Sequence, residues 1–308
     1  MLDLENPDVF RAVLESLKIG VCVVDPDRKI AFWNDGAEEI TGYLRQEVLG
    51  RTCREDLLIP YDESNLGPSE QVSPFLTAMR DGNAHEVRVF LHHKAGYPVP
   101  VTVRAVPLRN SQGEVMGAAG SFVEKPWAPM RHCPESGLAP GEGLDAVTRL
   151  PDHRFTELYL GDRLKYATEH AIPFGVLCIG LDQLDSFTSA HGRDAAEAIL
   201  NVIAHALRNG LDPLDFVGRW SEDQFLALVS NCGDSALVAA GEHITRLARY
   251  SAVTWWGDAL SVTVSVGATA MRPEEALESL VERVGKAFQE SVSGGGNRVS
   301  VRGAPEQP

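Results

Sequence analysis

A chain of 308 residues, 44% of them hydrophobic, holds enough apolar material for two ordinary domains, each with its own core. Its formal net charge of −15 gives no electrostatic support to nucleic-acid or membrane-surface binding, and it leaves proteins and small molecules as the expected partners. The cysteines Cys22, Cys53, Cys133, Cys178 and Cys232 form no C-x-x-C pair, which argues against zinc and dithiol chemistry.

The start, MLDLENPDVF, has no basic segment followed by an apolar run, and no stretch approaches the ~18 apolar residues of a membrane span, so a cytoplasmic location is expected. Cys22 and Cys178 lie inside apolar runs and read as small core residues of a reducing compartment. From residue 8 to 123, short strand-like runs alternate with turns: IGVCVVD, PDRK, IAFWN, a helical stretch around AEEITGY, then VRVFLHH, KAGYP, VPVTVRAVPL, NSQGE and VMGAAGSFV. This is the pattern of an α+β domain with a five-stranded antiparallel sheet built from hairpins. Composition then changes abruptly: Pro126, Pro129, Pro134 and Pro140, with Gly137, Gly141 and Gly143, make residues 125–143 a linker that holds no continuous helix. Its apolar residues Trp127, Met130 and Leu138 are expected to tether the domains loosely or to lie on one of them.

The second domain, 144–308, opens with a helical stretch through about Glu169 and the buried strand FGVLCIGLD. A helix follows at DAAEAILNVIAHALRNGL, where Ala196, Ile199, Leu200, Ile203 and Leu207 recur at helical spacing. DFVGRW and QFLALVS flank a hairpin turn at Ser221, Glu222 and Asp223, and a helix, the strand SVTVSVGATA, a helix and the strand NRVSV complete an α/β sandwich.

The motifs of residues 8–123, in this order, resemble PAS sensor domains. DAVTRLPDHRF, FGVLCIGLD, HGRDAAEAIL, FVGRWSEDQFLAL, VTVSVGAT and GGGNRV resemble GGDEF domains, which condense two GTP into cyclic di-GMP. The chain is thus expected to join a PAS sensor (1–124), a linker (125–143) and a GGDEF-type domain (144–308).

That chemistry needs carboxylates to hold divalent metal, cations on the phosphates and close backbone approach to the nucleotide. The resemblance places the glycine-rich motif at Ser221, Glu222, Asp223, Gln224 and Phe225: both glycines are replaced, Asp223 keeps one metal carboxylate, and Gln224 is a neutral amide where the family has an acid. The second metal aspartate falls on Gly180; Asp182 lies on the same face but roughly 6–7 Å farther along the strand. The guanine-contacting residues fall on Thr188 and Glu197, and the phosphate-binding Lys and Arg on Val292 and Gly296. The product-inhibition arginine becomes Asp212, with its partner acid kept as Asp215. Residues 293–297 read as a helix C-cap and loop, since no helix starts after them to bind a phosphate.

In the sensor, Cys53 falls where flavin-binding PAS proteins carry a reactive cysteine, but Thr52 and the last strand lack the supporting polar groups. Trp33 is the other candidate ligand contact, although it and Phe32 are ordinary core or sheet residues first; His92 and His93 sit at a strand end and are expected to be solvated. The expected function is a non-catalytic signalling adaptor, with the degenerate GGDEF domain used for binding a protein partner or for homodimerisation, and with a possible small-molecule PAS ligand. The alternatives are a diguanylate cyclase with weak residual activity and a GTP-binding switch without turnover, Mg²⁺ being the cofactor of either.

Overall fold

Two sheets organise the chain, and each belongs to its own compact unit, residues 1–125 and 126–308. The computed structural model describes residues 7–52, 61–62, 73–124, 143–230 and 233–303. Cys53 and the linker residues Trp127, Met130 and Leu138 lie outside them.

The first unit begins with helix α1 (Pro7–Ser16), followed by strands β1 (Gly20–Val24) and β2 (Ile30–Trp33) and the short helices α2 (Asp35–Thr41) and α3 (Arg45–Val48). After the two-residue strand β3 (Tyr61–Asp62) come helix α4 (Pro74–Asp81) and the long meander β4 (His85–His92), β5 (Pro98–Arg109) and β6 (Val115–Glu124). The spatial order β2-β1-β6-β5-β4-β3 is antiparallel throughout, so the expected five strands are present and Tyr61–Asp62 adds a short edge. Gly96 and Gly113, both at positive φ, turn the two hairpins where the KAGYP and NSQGE segments signalled them.

Asn34 ties this unit together. Its buried side chain accepts from the Val21 and Ala37 N–H groups at 2.7 and 3.0 Å, and donates to the Leu14 and Ile19 carbonyls at 2.9 Å each. One amide thereby caps α2 and fastens the end of α1 to β1. Trp33 is fully buried: its indole N–H donates to the Tyr43 carbonyl at 3.1 Å and its ring lies 5.7 Å from that of Phe122. Its place is the core of the sheet, among Cys22, Val24 and Val103. His92 and His93 are half-buried rather than solvated, because the turn folds Tyr97 back so that its ring stacks on His93 at 4.4 Å.

In the second unit the helix expected from Leu144 begins only at α5 (His153–His170). Local bonds win over helix before it: Leu144 bridges to Pro151, the Asp145 carboxylate accepts from the Thr148 N–H and hydroxyl at 2.7 Å each, and Asp152 caps α5 through the Phe155 N–H. Strand β7 (Phe174–Leu181) is buried along its whole length. Alternate residues Phe174, Val176 and Cys178 pack with α5, and the intervening Leu177, Ile179 and Leu181 face the opposite side. Helices α6 (Leu184–His191) and α7 (Arg193–Gly210) follow, the latter burying Ala196, Ile199, Leu200, Ile203 and Leu207 as their spacing predicts.

The hairpin β8 (Phe216–Arg219) and β9 (Gln224–Ser230) leads into α8 (Asp234–Arg249). A separate hairpin, β10 (Ala252–Trp255) and β11 (Asp258–Ser261), precedes β12 (Val264–Ala270), α9 (Leu277–Ser293) and β13 (Val299–Val301). The sheet order is β13-β12-β7-β9-β8, parallel only between β12 and β13. The strand expected over 261–270 is interrupted at Val262 and Thr263, where the Thr263 carbonyl and hydroxyl turn to the Asp182 backbone N–H and carboxylate. No helix among the described residues is long and apolar enough to cross a membrane.

Candidate functional site

The hairpin turn between β8 and β9 is closed by its own polar groups. The Trp220 and Ser221 N–H groups both donate to the Gln224 carbonyl, at 2.9 and 3.2 Å. The Ser221 hydroxyl donates to the Asp223 carboxylate at 2.9 Å, so that acid is engaged within the turn. Neither Ser221 nor Glu222 has positive φ, and the turn therefore requires no glycine for its backbone. Arg219 donates to the Glu222 carbonyl, and its guanidinium lies over the buried Phe225 ring, 4.9 Å from the centroid. Burial pushes the Arg219 guanidinium down, against the opposing charges of Asp145, Asp223 and Glu222. Burial also works against the Asp145 charge, but the Thr148 hydroxyl and N–H, with Arg219, hold that carboxyl below its ordinary range.

Beside the turn lies a cleft of about 610 Å³ whose walls include Asp182, Asp185, Asp223, Gln224, Phe288 and Val292. Three carboxylates line it, and no Lys, Arg or His does so among the described residues. Gly180 sits at its inner edge, opposite Gln224 on β9 and Ser265 on β12. A Cβ at Gly180 would stand 2.4 Å from Phe288 Cζ and 3.4 Å from Gln224 Cγ. An apolar ring from α9 thus fills the space that a metal-binding side chain at this position would need.

Asp182 is engaged elsewhere. Its carboxylate accepts from the Thr263 and Ser265 hydroxyls at 2.6 Å each and from the Asn297 N–H at 2.9 Å, clamping the ends of β7 and β12 to the α9–β13 loop. Gly296 in that loop has φ 72° and a Cβ there would meet the same carboxylate at 3.1 Å. The residues present do not fit the Mg²⁺ that the resemblance implies: Gly180 offers no ligand, Asp182 is taken by three donors and Gln224 is neutral. No group of three or more His, Cys, Asp or Glu able to hold a metal occurs among the described residues. Beneath Gln224, Cys178 donates its thiol to the amide oxygen at 3.6 Å; burial, and secondarily the Asp223 charge, push that thiol up to about 12.

Asp182, Asp223, Gln224, Val292 and Gly296 therefore meet in one cleft, while Thr188 and Glu197 are not part of its lining. The Thr188 hydroxyl donates to the Leu184 carbonyl within α6, and Glu197 accepts from Arg193 within α7, both as helix-internal contacts. Asp215 accepts from the Ser230 and Asp212 N–H groups at 2.9 and 3.2 Å, which makes it a brace for the Asp212–Asp215 turn. Sequence reasoning missed Phe288, Asp185 and the charge pairing of Arg219 with Asp145. Phe288 stands four residues after the buried Val284, a spacing that would have put it on the inner face of α9.

Comparisons with known proteins follow the two units. A family model described as "Diguanylate cyclase, GGDEF domain" matches residues 143–298, and one described as "PAS fold" matches residues 9–122. Probable diguanylate cyclase DgcE of Escherichia coli is 26% identical over 300 residues, covering 96% of this chain and 26% of its own length. Diguanylate cyclase A of Treponema denticola is 25% identical over 155 residues, covering 50% of this chain and 40% of its own length. This chain therefore spans well under half of either curated relative. The GGDEF domain of DgcB from Caulobacter crescentus, solved with c-di-GMP, superposes with a TM-score of 0.51 at 20% identity over 53% of this chain and 98% of that one, a likeness of fold. Diguanylate cyclase SiaD from Pseudomonas aeruginosa, solved in complex with its activator SiaC, has a TM-score of 0.51 at 26% identity over 53% of this chain and 62% of that one.

Proposed function

This chain belongs to the GGDEF diguanylate cyclase family, with a PAS fold ahead of the GGDEF domain, and from that premise we propose that it is a non-catalytic member, an adaptor whose GGDEF fold binds a partner instead of condensing GTP. The observation that carries the reading is the Phe288 ring packed over Gly180, which leaves the cleft without its second metal carboxylate and without room for one. The charge of the cleft supports it: a triphosphate entering would meet Asp182, Asp185 and Asp223 and no cation to offset them. A protein partner has precedent in this fold, since SiaD was solved with an activator protein bound. In this reading residues 1–124 form the sensor, 144–308 carry the binding surface, and 125–143 join them.

The test is to mix the purified chain with Mg²⁺ and labelled GTP and to separate the products. Unconverted, unretained GTP is the expected outcome. Cyclic di-GMP that disappears in Asp223→Ala would make the chain a working cyclase, and GTP retained without turnover would make it a nucleotide switch.

A further inference from the structure

A second cavity, of about 470 Å³, opens between α5 and the β8–β9 hairpin, remote in composition from the acidic cleft. Its walls are aromatic: Tyr159 stacks on Phe216 with ring centroids 4.2 Å apart, and Phe174 and Tyr166 face the same space. Leu214 stands at the rim and is 73% exposed. One cation reaches in. The Arg163 guanidinium lies 5.6 Å from the Phe174 ring centroid and 5.7 Å from that of Tyr166, and it makes no hydrogen bond or ion pair among the described residues. Burial raises the Tyr159 phenol above its ordinary range, with the Arg163 charge opposing the shift and the Asp215 charge adding to it.

An apolar volume of drug-molecule size with one convergent cation is the general form of a small-ligand pocket. We infer that this cavity is a binding site for a small apolar carboxylate, its hydrocarbon or aromatic body lying between Tyr159, Phe174 and Leu214 and its carboxylate meeting Arg163. A guanidinium matches a carboxylate in a two-pronged geometry, and the surrounding rings exclude the water that would otherwise screen the pair. The acidic residue at the rim, Asp162, is exposed and turned to solvent screening, and it disfavours ligands with more than one negative charge. The inference stands apart from the proposed loss of catalysis, since none of these residues lines the acidic cleft.

Calorimetric titration of the full chain with 3-phenylpropanoate and with decanoate, each beside its neutral amide, tests the assignment. Saturable one-to-one binding of at least one acid is expected, with its amide weaker by about tenfold or more, the loss of one charge-assisted hydrogen-bonded contact. Arg163→Gln should remove that preference and Arg163→Lys should keep part of it. Leu214→Glu, at an exposed position that folding does not depend on, should weaken the acid more than the amide. Absence of saturable binding, equal affinity for acid and amide, or acid binding that Arg163→Gln and Leu214→Glu leave unchanged would each overturn the inference. So would competition by cyclic di-GMP in place of the carboxylates.

Discussion

Replacing Gly180 with aspartate, the change that would place a carboxylate where the family carries its second metal ligand, should destabilise the second unit's core before it builds a site. The new Cβ would lie 2.4 Å from Phe288 Cζ, so the ring must leave a position where it is 6% exposed and packed among Val176, Cys178 and Leu280. Overpacking of this kind costs about 1–3 kcal/mol. The carboxylate adds about 1–3 kcal/mol more for losing water in a buried place where the Ser265 hydroxyl is already given to Asp182. A total of about 2–6 kcal/mol is a large share of the stability of a domain. For a unit of this size it corresponds to a fall of about 4–24 °C in Tm. Thermal melts of the full chain followed by circular dichroism, with hydrogen exchange at residues 174–181 to assign the transition, provide the assay. Phe288→Leu removes the clashing ring edge at a cost of about 1–2 kcal/mol alone. The double variant should be more stable than the sum of the two changes by about 1–3 kcal/mol. A Gly180→Asp chain that melts within a degree or two of the parent, or strict additivity with Phe288→Leu, would refute the claim that the ring occupies the metal position.

Other outcomes follow from the same geometry. Asn34→Ala leaves the Val21 and Ala37 N–H groups and the Leu14 and Ile19 carbonyls without their partner, and should destabilise the first unit by about 3–4 kcal/mol in a urea melt; a loss under about 1 kcal/mol would contradict its role as a hub. Ser221→Gly combined with Glu222→Gly should yield no cyclic di-GMP, because neither change supplies a phosphate cation or a metal ligand and catalytic groups act as a unit; robust turnover would contradict it. Burial, then the Asp223 charge, hold the Cys178 thiol up at about 12 in the folded chain, whereas the unfolded thiol ionises at about 8.5. Its contribution is therefore complete below that lower value and is lost as pH rises toward 12, so the free energy of unfolding should fall more steeply above pH 9 in the parent than in Cys178→Ala, and equal slopes would overturn the assignment.

The parts of the fold that local chemistry decides were legible in the sequence. The hairpin turns around Gly96 and Gly113, the apolar stripe of α7 and the continuous burial of β7 all declare themselves by turn residues or periodicity. Elements set by single side-chain bonds or masked turns were not. The stretch 144–152 reads as helix until Asp145 is seen to bind Thr148, and the 261–270 run reads as one strand until Thr263 is seen to bind Asp182. The β10–β11 hairpin turns at Trp256 and Gly257, both with positive φ, and two tryptophans in succession mask that turn as an apolar run. In the candidate site, motif order was enough to bring Asp223, Gln224, Val292 and Gly296 into one cleft, with Gly180 paired to Gln224 beside it. What fills the gap was hidden, because Phe288 reaches Gly180 only through the packing of α9 on the sheet.

A triphosphate entering the cleft would meet the carboxylates of Asp182, Asp185 and Asp223 in place of cations. Calorimetric titration of the full chain with GTP and Mg²⁺ tests this most directly. No saturable heat up to millimolar GTP is the predicted result, whereas stoichiometric binding that Asp223→Ala abolishes would contradict it.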